Sequence, residues 1–130
     1  MQQVNPVAIV QAWQEAANAQ DSEHLLALSD PTIEIAGPRG SGFGHQLLQD
    51  WIARAGLTLK TIRVFAQADT VVVEQQGAWR ALDTGEVTGE KTLASVFQVD
   101  KQRVVKFARY DSLAAALEAA GLDETKESFL

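Results

Sequence analysis

Alternating hydrophobic and polar positions near the C-terminal end of the chain predict two long, paired β-strands. They cover residues 92–100 and 103–111, and a polar turn joins them. One face of the pair would carry the alternate residues Leu93, Ser95, Phe97, Val99, Val105, Phe107, Arg109 and Asp111. The opposite face carries Gln98 and Lys106, so the pair is predicted to have an apolar core face and a more polar outer face.

Apolar residues recur at helical spacing in three earlier segments. Asn5 and Pro6 suit an N-cap and a first helical position, and the helix that they begin extends to about residue 19. A short helix from residue 21 or 22 ends before Pro31, because the residue before a proline avoids the helical region. A third helix covers residues 45–55 and follows a glycine-rich loop at residues 37–44.

The other regular segments are predicted to be strands at residues 32–36, 57–68 and 70–82. In the second of these strands the apolar positions change parity, and a β-bulge near Lys60 and Thr61 would explain the change. Ser112 then begins a short C-terminal helix, which ends at Gly121.

This order of elements predicts an α+β fold. We expect a cone-shaped, curved antiparallel sheet with the three helices of the N-terminal half on its concave face, together with a short C-terminal helix. Residues 1–122 would form this single domain, and residues 123–130 a frayed tail. Cone-shaped interiors of this kind tend to bind small molecules.

Composition narrows the classes of function. The 130 residues, 46% of them hydrophobic and 22% charged, are typical of one folded domain. The net charge of −6 argues against binding to nucleic acid, which needs clustered Lys and Arg. Because the sequence has no cysteine, disulfides and thiolate sites are excluded. We see neither a secretory signal nor a membrane-spanning apolar run, so we expect a cytoplasmic protein that does not bind membranes.

Three stretches of the sequence resemble a known superfamily. They are Leu26-Ala27-Leu28-Ser29-Asp30-Pro31, the glycine-rich loop and helix of residues 40–51, and Arg109-Tyr110-Asp111-Ser112-Leu113 running into Ala119-Ala120-Gly121-Leu122. With them, residues 6–122 resemble the nuclear transport factor 2-like superfamily, especially its SnoaL-like branch. The resemblance implies a ligand in the cone and a homodimer.

For an enzyme, the same resemblance implies cofactor-independent acid/base chemistry such as isomerisation, cyclisation or dehydration. Tyr110 is the only tyrosine, so the sequence lacks a recognisable tyrosine and aspartate constellation of the ketosteroid isomerase type. A non-catalytic binding or accessory domain is therefore the alternative. We expect any dimer to form through the outer sheet face, which would carry Val72, Ala94, Val96 and Val104.

If the face that holds Phe97 and Phe107 points inward, it lines a largely apolar cavity. The candidate ligand-binding residues are Trp13, Phe43, Trp51, Gln75, Trp79, Ser95, Phe97 and Arg109. The aromatic rings favour a flat, apolar ligand, unless they only form the core. Arg109 would anchor an anionic group such as a carboxylate, or would form a structural ion pair with Asp111.

Two residues are candidates for proton transfer. His45 begins the third helix, where a helix N-terminus disfavours the imidazolium, so it suits a neutral general base; alternatively it is an exposed histidine bonded to backbone. Glu34 would be a carboxylate of raised pKa if its strand lies at the mouth of the cone, or would point away if Ile33 and Ile35 pack on the helices. We expect no metal and no cofactor. The glycine-rich loop lacks the spacing of a phosphate-binding loop, and we expect it to be a lid with Phe43 as a plug.

Overall fold

The computed structural model describes residues 5–37, 40–81 and 83–128. Its elements, in chain order, are α1 (Pro6–Asn18), α2 (Ser22–Ala27), β1 (Ser29–Gly37), β2 (Gly40–Phe43), α3 (His45–Ala55), β3 (Leu57–Gln67), β4 (Thr70–Arg80), β5 (Val87–Asp100), β6 (Arg103–Tyr110), α4 (Leu113–Ala120), a 3-10 turn (Glu124–Lys126) and β7 (Glu127–Ser128). Within these residues seven strands form one sheet in the order β2-β1-β6-β5-β4-β3-β7. Neighbouring strands are antiparallel except β1 and β6, which are parallel. No helix in this part of the chain is both long enough and apolar enough to cross a membrane.

Apolar clusters lie on both faces of the sheet and confirm the predicted α+β fold. The helices α1, α2 and α3 pack on one face, called the inner face below, where they bury residues such as Val10, Leu25 and Leu48 against the sheet. The helix α4 packs on the opposite, outer face through Ala116 and Leu117. Burial of large apolar side chains on both faces is the main force that holds these layers together.

Local sequence signals set the helix ends as predicted. The side chain of Asn5 accepts a hydrogen bond from the backbone N–H of Val7 at 2.8 Å, and Pro6 occupies the first turn of α1. Ser112 caps α4 by accepting from the N–H of Ala115 at 3.1 Å. Gly121 ends α4 in the left-handed conformation, with a φ of 72° that favours glycine.

Two β-bulges determine which side chains face the helices. In β3 the register shifts between Thr61 and Arg63, so that Ile62 is the extra residue, close to the bulge predicted from sequence. A second bulge lies in β6, because Gln98 pairs with Lys106 while Val99 pairs with Val104. This unpredicted bulge turns Val104 onto the inner face, where it is fully buried in the helix-side cluster. The placement of Val104 on the outer face was therefore wrong.

The apolar part of the outer face is already covered within one copy of the chain. Val72, Ala94 and Val96 are buried in the cluster that α4 completes. They were expected on the outer face of the sheet, through which a second copy would bind. The patch that suggested a dimer through this face is thus an internal interface of the monomer.

A chain of buried polar side chains runs along the inner face between α1 and the sheet. Ser95 donates its hydroxyl hydrogen to Oε1 of Gln75 at 2.7 Å, and Nε2 of Gln75 donates to Oε1 of Gln14. Nε2 of Gln14 in turn donates to the hydroxyl of Thr61 at 2.7 Å. Ser95 and Gln75 are completely buried, so each partner in this chain avoids the cost of an unpaired polar group.

The exposed edge of β3 is closed by a side chain and by the C-terminal segment. Asn18 pairs with the backbone of Leu59 as a strand would, accepting from its N–H and donating to its carbonyl, both at 2.8 Å. Farther along, β7 pairs with β3, and Glu127 accepts two hydrogen bonds from Arg63. Residues 123–130 were expected to fray, but residues 124–128 form the 3-10 turn and β7; residues 129 and 130 lie outside the described residues.

Ser95→Ala is predicted to destabilise the fold by about 1–3 kcal/mol, because it leaves Oε1 of the buried Gln75 without its donor. The matched control is Thr92→Ala, which removes a hydroxyl that bonds to Gln76 on the same two strands at an exposed position. We expect the control to change stability by less than about 0.5 kcal/mol. Urea unfolding followed by circular dichroism measures both. Equal losses for the two variants would show that burial of the polar chain does not matter.

Unfolding of the C-terminal segment is predicted to depend on pH. The hydrogen bonds from Arg63 hold the pKa of the Glu127 carboxyl below its ordinary value of 4.5. A lowered pKa in the folded state stabilises the fold above the unfolded value, and this contribution is lost as the pH falls through the folded pKa. Glu127→Gln should therefore lower the thermal unfolding midpoint at pH 7 but not at pH 3.

Glu124→Gln is the control for this prediction, since Glu124 is exposed and 3.7 Å from Arg63. It should leave the midpoint almost unchanged at both pH values. A Glu127→Gln effect that persists undiminished at pH 3 would contradict the assignment of the stabilisation to the ionised carboxylate.

Candidate functional site

A cleft of about 580 Å³ lies between the β1–β2 hairpin, α3 and β6. Its lining residues in the described part of the chain are Ile35, Ala36, Gly37, Gly40, Ser41, Gly42, Leu47, Trp51, Phe107 and Arg109. Aliphatic and aromatic side chains and glycine backbone make up most of this surface. The volume and the apolar lining are typical of a site for a small organic molecule.

Glycines on one face of the β1–β2 hairpin provide the space for the cleft. Residues 37–44 were expected to form a loop, but residues 40–43 form β2 and pair with β1. Ile35 pairs with Gly42, and Gly37 pairs with Gly40, so these four positions share one face and three of them lack a side chain. A Cβ at Gly42 would lie only 2.5 Å from Cδ2 of Leu47, so glycine is required for Leu47 to pack where it does.

Phe43 lies outside this site. It pairs with Glu34, and both side chains project from the hairpin face opposite the glycine positions. The side chain of Phe43 is 66% exposed. The expectation that Phe43 closes the cavity as a plug, and that it binds the ligand, is therefore not supported by its position.

Packed aromatic rings form the floor of the cleft. Trp13 lies 6.5 Å from Trp51, 5.4 Å from Phe97 and 5.1 Å from Phe107, measured between ring centroids. Trp13 and Phe97 are completely buried, whereas Trp51 and Phe107 reach the cleft. Of the three candidates among these rings, Trp51 lines the cleft, whereas Trp13 and Phe97 are core residues behind it.

Gln75 and Ser95 lie on the inner face, as predicted, but their side chains are already hydrogen-bonded within the protein. The register pairs Val73 with Ser95, and Ser95 with Arg109, which places all three side chains on the face that holds Phe97 and Phe107. Gln75 and Ser95 nevertheless donate and accept within the buried polar chain described above, and neither lines the cleft. Their role is structural in this conformation.

Arg109 is the charged side chain of the site. It is half-buried and lines the cleft, and its guanidinium carbon lies 6.0 Å from the ring centroid of Trp79. Trp79 itself does not line the cleft but contacts Arg109. The alternative of a structural ion pair with Asp111 is not formed; Asp111 accepts a hydrogen bond from Nζ of Lys91 at 3.0 Å.

Both candidates for proton transfer lie away from the cleft. Nε2 of His45 is 3.0 Å from the carbonyl oxygen of Ser29, so this nitrogen must carry the hydrogen to form a hydrogen bond. Ser29 also accepts a hydrogen bond from the indole N–H of Trp13, which ties α1 and α3 to the start of β1. Glu34 pairs in register with Lys106 and points to the outer face, opposite Ile35. Among the described residues no group of three or more His, Cys, Asp and Glu side chains could hold a metal ion.

Several lining residues were not among the sequence candidates. They are Ile35, Ala36, Gly37, Gly40, Ser41, Gly42 and Leu47. The signal that could have found them is the alternation of the glycines on either side of a hairpin turn. When glycines occupy positions that share one face of a hairpin, that face has no side chains. The space left beside it can then form a cleft.

Several solved structures resemble this chain over nearly its whole length. A protein of unknown function from Cytophaga hutchinsonii, described as NTF2-like, aligns with a TM-score of 0.72 at 11% identity, over 88% of this chain and 96% of its own. An NTF2-like protein from Burkholderia xenovorans aligns with a TM-score of 0.67 at 25% identity, over 88% and 94%. TerC, co-crystallised with polyporic acid, aligns with a TM-score of 0.71 at 17% identity, over 89% and 98%.

No protein-family model matches the sequence, and no curated protein matches it. Similarity to known proteins is therefore carried by structure, and it extends over nearly the whole chain. The chain has the nuclear transport factor 2-like fold, which confirms the resemblance seen in its sequence.

Proposed function

We propose that this protein binds a small, largely apolar organic molecule in the cleft between the β1–β2 hairpin, α3 and β6. The observation that carries the proposal is a cleft of about 580 Å³ whose walls are glycine backbone and the side chains of Ile35, Leu47, Trp51 and Phe107. Flat rings would stack on the two aromatic side chains, and the glycine face would admit them without a steric clash. A protein of the same fold has been crystallised with a small organic acid, polyporic acid, which supports a ligand of this size class.

We further propose that the protein binds its ligand without acid/base catalysis. General acid/base chemistry needs a titratable group within hydrogen-bond reach of the reacting atom. Arg109 is the only ionisable side chain among the described residues that line the cleft, and a guanidinium does not exchange its proton near neutral pH. His45 bonds to the backbone and Glu34 faces the outer side of the sheet. These placements favour the non-catalytic alternative over an isomerase, cyclase or dehydratase.

Homodimerisation stays a prediction, and α4 restricts where it would occur. Because Val72, Ala94 and Val96 are buried beneath α4, a second copy would have to contact the outward side of α4 or the uncovered ends of the sheet. The cytoplasmic location expected from the sequence likewise stays a prediction.

Gly37→Val is predicted to weaken ligand binding about tenfold or more while leaving the fold intact. A Cβ at Gly37 meets no atom within 4 Å and the backbone there is not left-handed, so the added side chain would enter the open cleft without strain. Addition of bulk in an apolar pocket typically changes affinity by about tenfold or more. A suitable probe is 2-naphthamide, whose binding can be measured by isothermal titration calorimetry.

Gly89→Val is the matched control for this experiment. Gly89 also lies in a strand, has no atom within 4 Å of an added Cβ, and does not line the cleft. Binding should persist in this variant. If a panel of naphthalene-sized compounds fails to bind the unmodified protein, or binds equally well to Gly37→Val, the proposed site is wrong.

A further inference from the structure

Arg109 is a half-buried cation without a counterion in the described part of the chain. It forms neither a hydrogen bond nor an ion pair there, and its guanidinium lies over the ring of Trp79. Its neighbours in the cleft, including Phe107 and Trp51, are apolar and reduce the access of water. A cation in such surroundings is stabilised strongly by an anion that reaches it.

Trp79 restricts the directions from which a ligand can approach Arg109. The indole ring lies 6.0 Å from the guanidinium carbon, a distance within the range of a cation–π contact. Such a contact orients the guanidinium while its N–H groups remain available. A guanidinium has five such donors in one plane, and two of them can bind both oxygens of a carboxylate.

The nearest acidic residue in sequence, Asp111, is paired with a different cation. Arg109 lies near the end of β6, and Asp111 follows that strand directly, two positions farther along the chain. Nζ of Lys91, on β5, donates to Oδ1 of Asp111 at 3.0 Å and so holds the carboxylate. Both partners are more than half exposed, so the interaction is weak and its effect on Arg109 should be modest.

We infer that the molecule bound in the cleft carries an anionic group that binds Arg109, and that Lys91 is a positioning residue that keeps Arg109 available by pairing with Asp111. The ligand class is then a planar aromatic or alicyclic acid, with its ring system on Trp51 and Phe107 and its charge at the β6 end of the cleft. This inference rests on the proposed function, which requires only that an apolar molecule binds there.

A matched pair of probes tests the preference for an anion. 2-Naphthoate and 2-naphthamide have nearly the same shape, but at pH 7 only the first is charged. We expect the unmodified protein to bind 2-naphthoate about tenfold more tightly, as a charge-assisted hydrogen bond would provide. In Arg109→Gln the ratio of the two affinities should fall to about one. Arg109→Lys, which keeps the charge but not the planar donors, should retain part of the preference.

Lys106→Gln is the control, because it removes one positive charge from β6 on the outer face. Its affinity ratio should equal that of the unmodified protein. If 2-naphthamide binds as tightly as 2-naphthoate, the anion inference is overturned and the proposed binding function stands. If neither probe binds and the wider panel also fails, both are overturned. If Arg109→Gln does not fold, the test uses Arg109→Lys and the salt dependence of the affinity ratio. Salt screens the charge interaction and should therefore lower the ratio.

The role of Lys91 is tested by a double-variant cycle. Lys91→Met frees Asp111 to approach Arg109 and should lower the naphthoate preference about two- to fourfold, in keeping with an exposed ion pair. Asp111→Asn alone should leave the preference equal or slightly higher. Combining both substitutions should restore the preference lost in Lys91→Met, because no carboxylate remains to compete. Additive losses, or no loss in Lys91→Met, would show that Lys91 does not act through Asp111.

Discussion

The contacts among Trp13, Trp51, Phe97 and Phe107 are the interaction on which the rest of the structure depends. They join α1 and α3 to β5 and β6, with ring centroids 5.1–6.5 Å apart. Such rings contribute a large apolar area and a preferred mutual orientation. They fill the centre of the inner face in the described part of the chain. The space that remains lies to one side, where Trp51 and Phe107 form a floor and the glycine hairpin forms a wall.

The hairpin and the ring cluster depend on each other for the shape of the cleft. A hairpin with side chains at positions 37, 40 and 42 would pack against α3 and close the space that the rings leave open. Gly42 also permits Leu47 to contact the hairpin directly, which fixes the distance between β2 and α3. The cleft is therefore a consequence of missing Cβ atoms on one hairpin face, placed beside a rigid aromatic surface.

The sequence predicted the fold and the inner face well, because both follow from periodicity. The alternation predicted that Phe97, Phe107 and Arg109 share one face of the sheet, and the strand register confirms this. The predictions that failed depended on a single extra residue in a strand or on packing between segments distant in sequence. The bulge in β6 moved Val104 across the sheet, and no local pattern marks it. Nothing in the spacing of α4 indicates which face it covers, since its short apolar stripe would fit either.

The candidate site was harder to predict than the fold. An inward-facing position alone does not show whether a polar side chain bonds to a ligand or to another side chain of the protein. Gln75 and Ser95 occupy inner-face positions at which polar groups could meet a ligand, but Ser95 bonds to Gln75, and Gln75 bonds to Gln14 on α1. Arg109 differs from them, because the carboxylate two residues away pairs with Lys91 and Arg109 has no ion pair among the described residues. Chemical capability in this protein thus follows from which polar groups lack a partner. On that criterion Arg109 is the charged group that remains at the cleft in the described part of the chain, and we propose recognition by shape together with one charge.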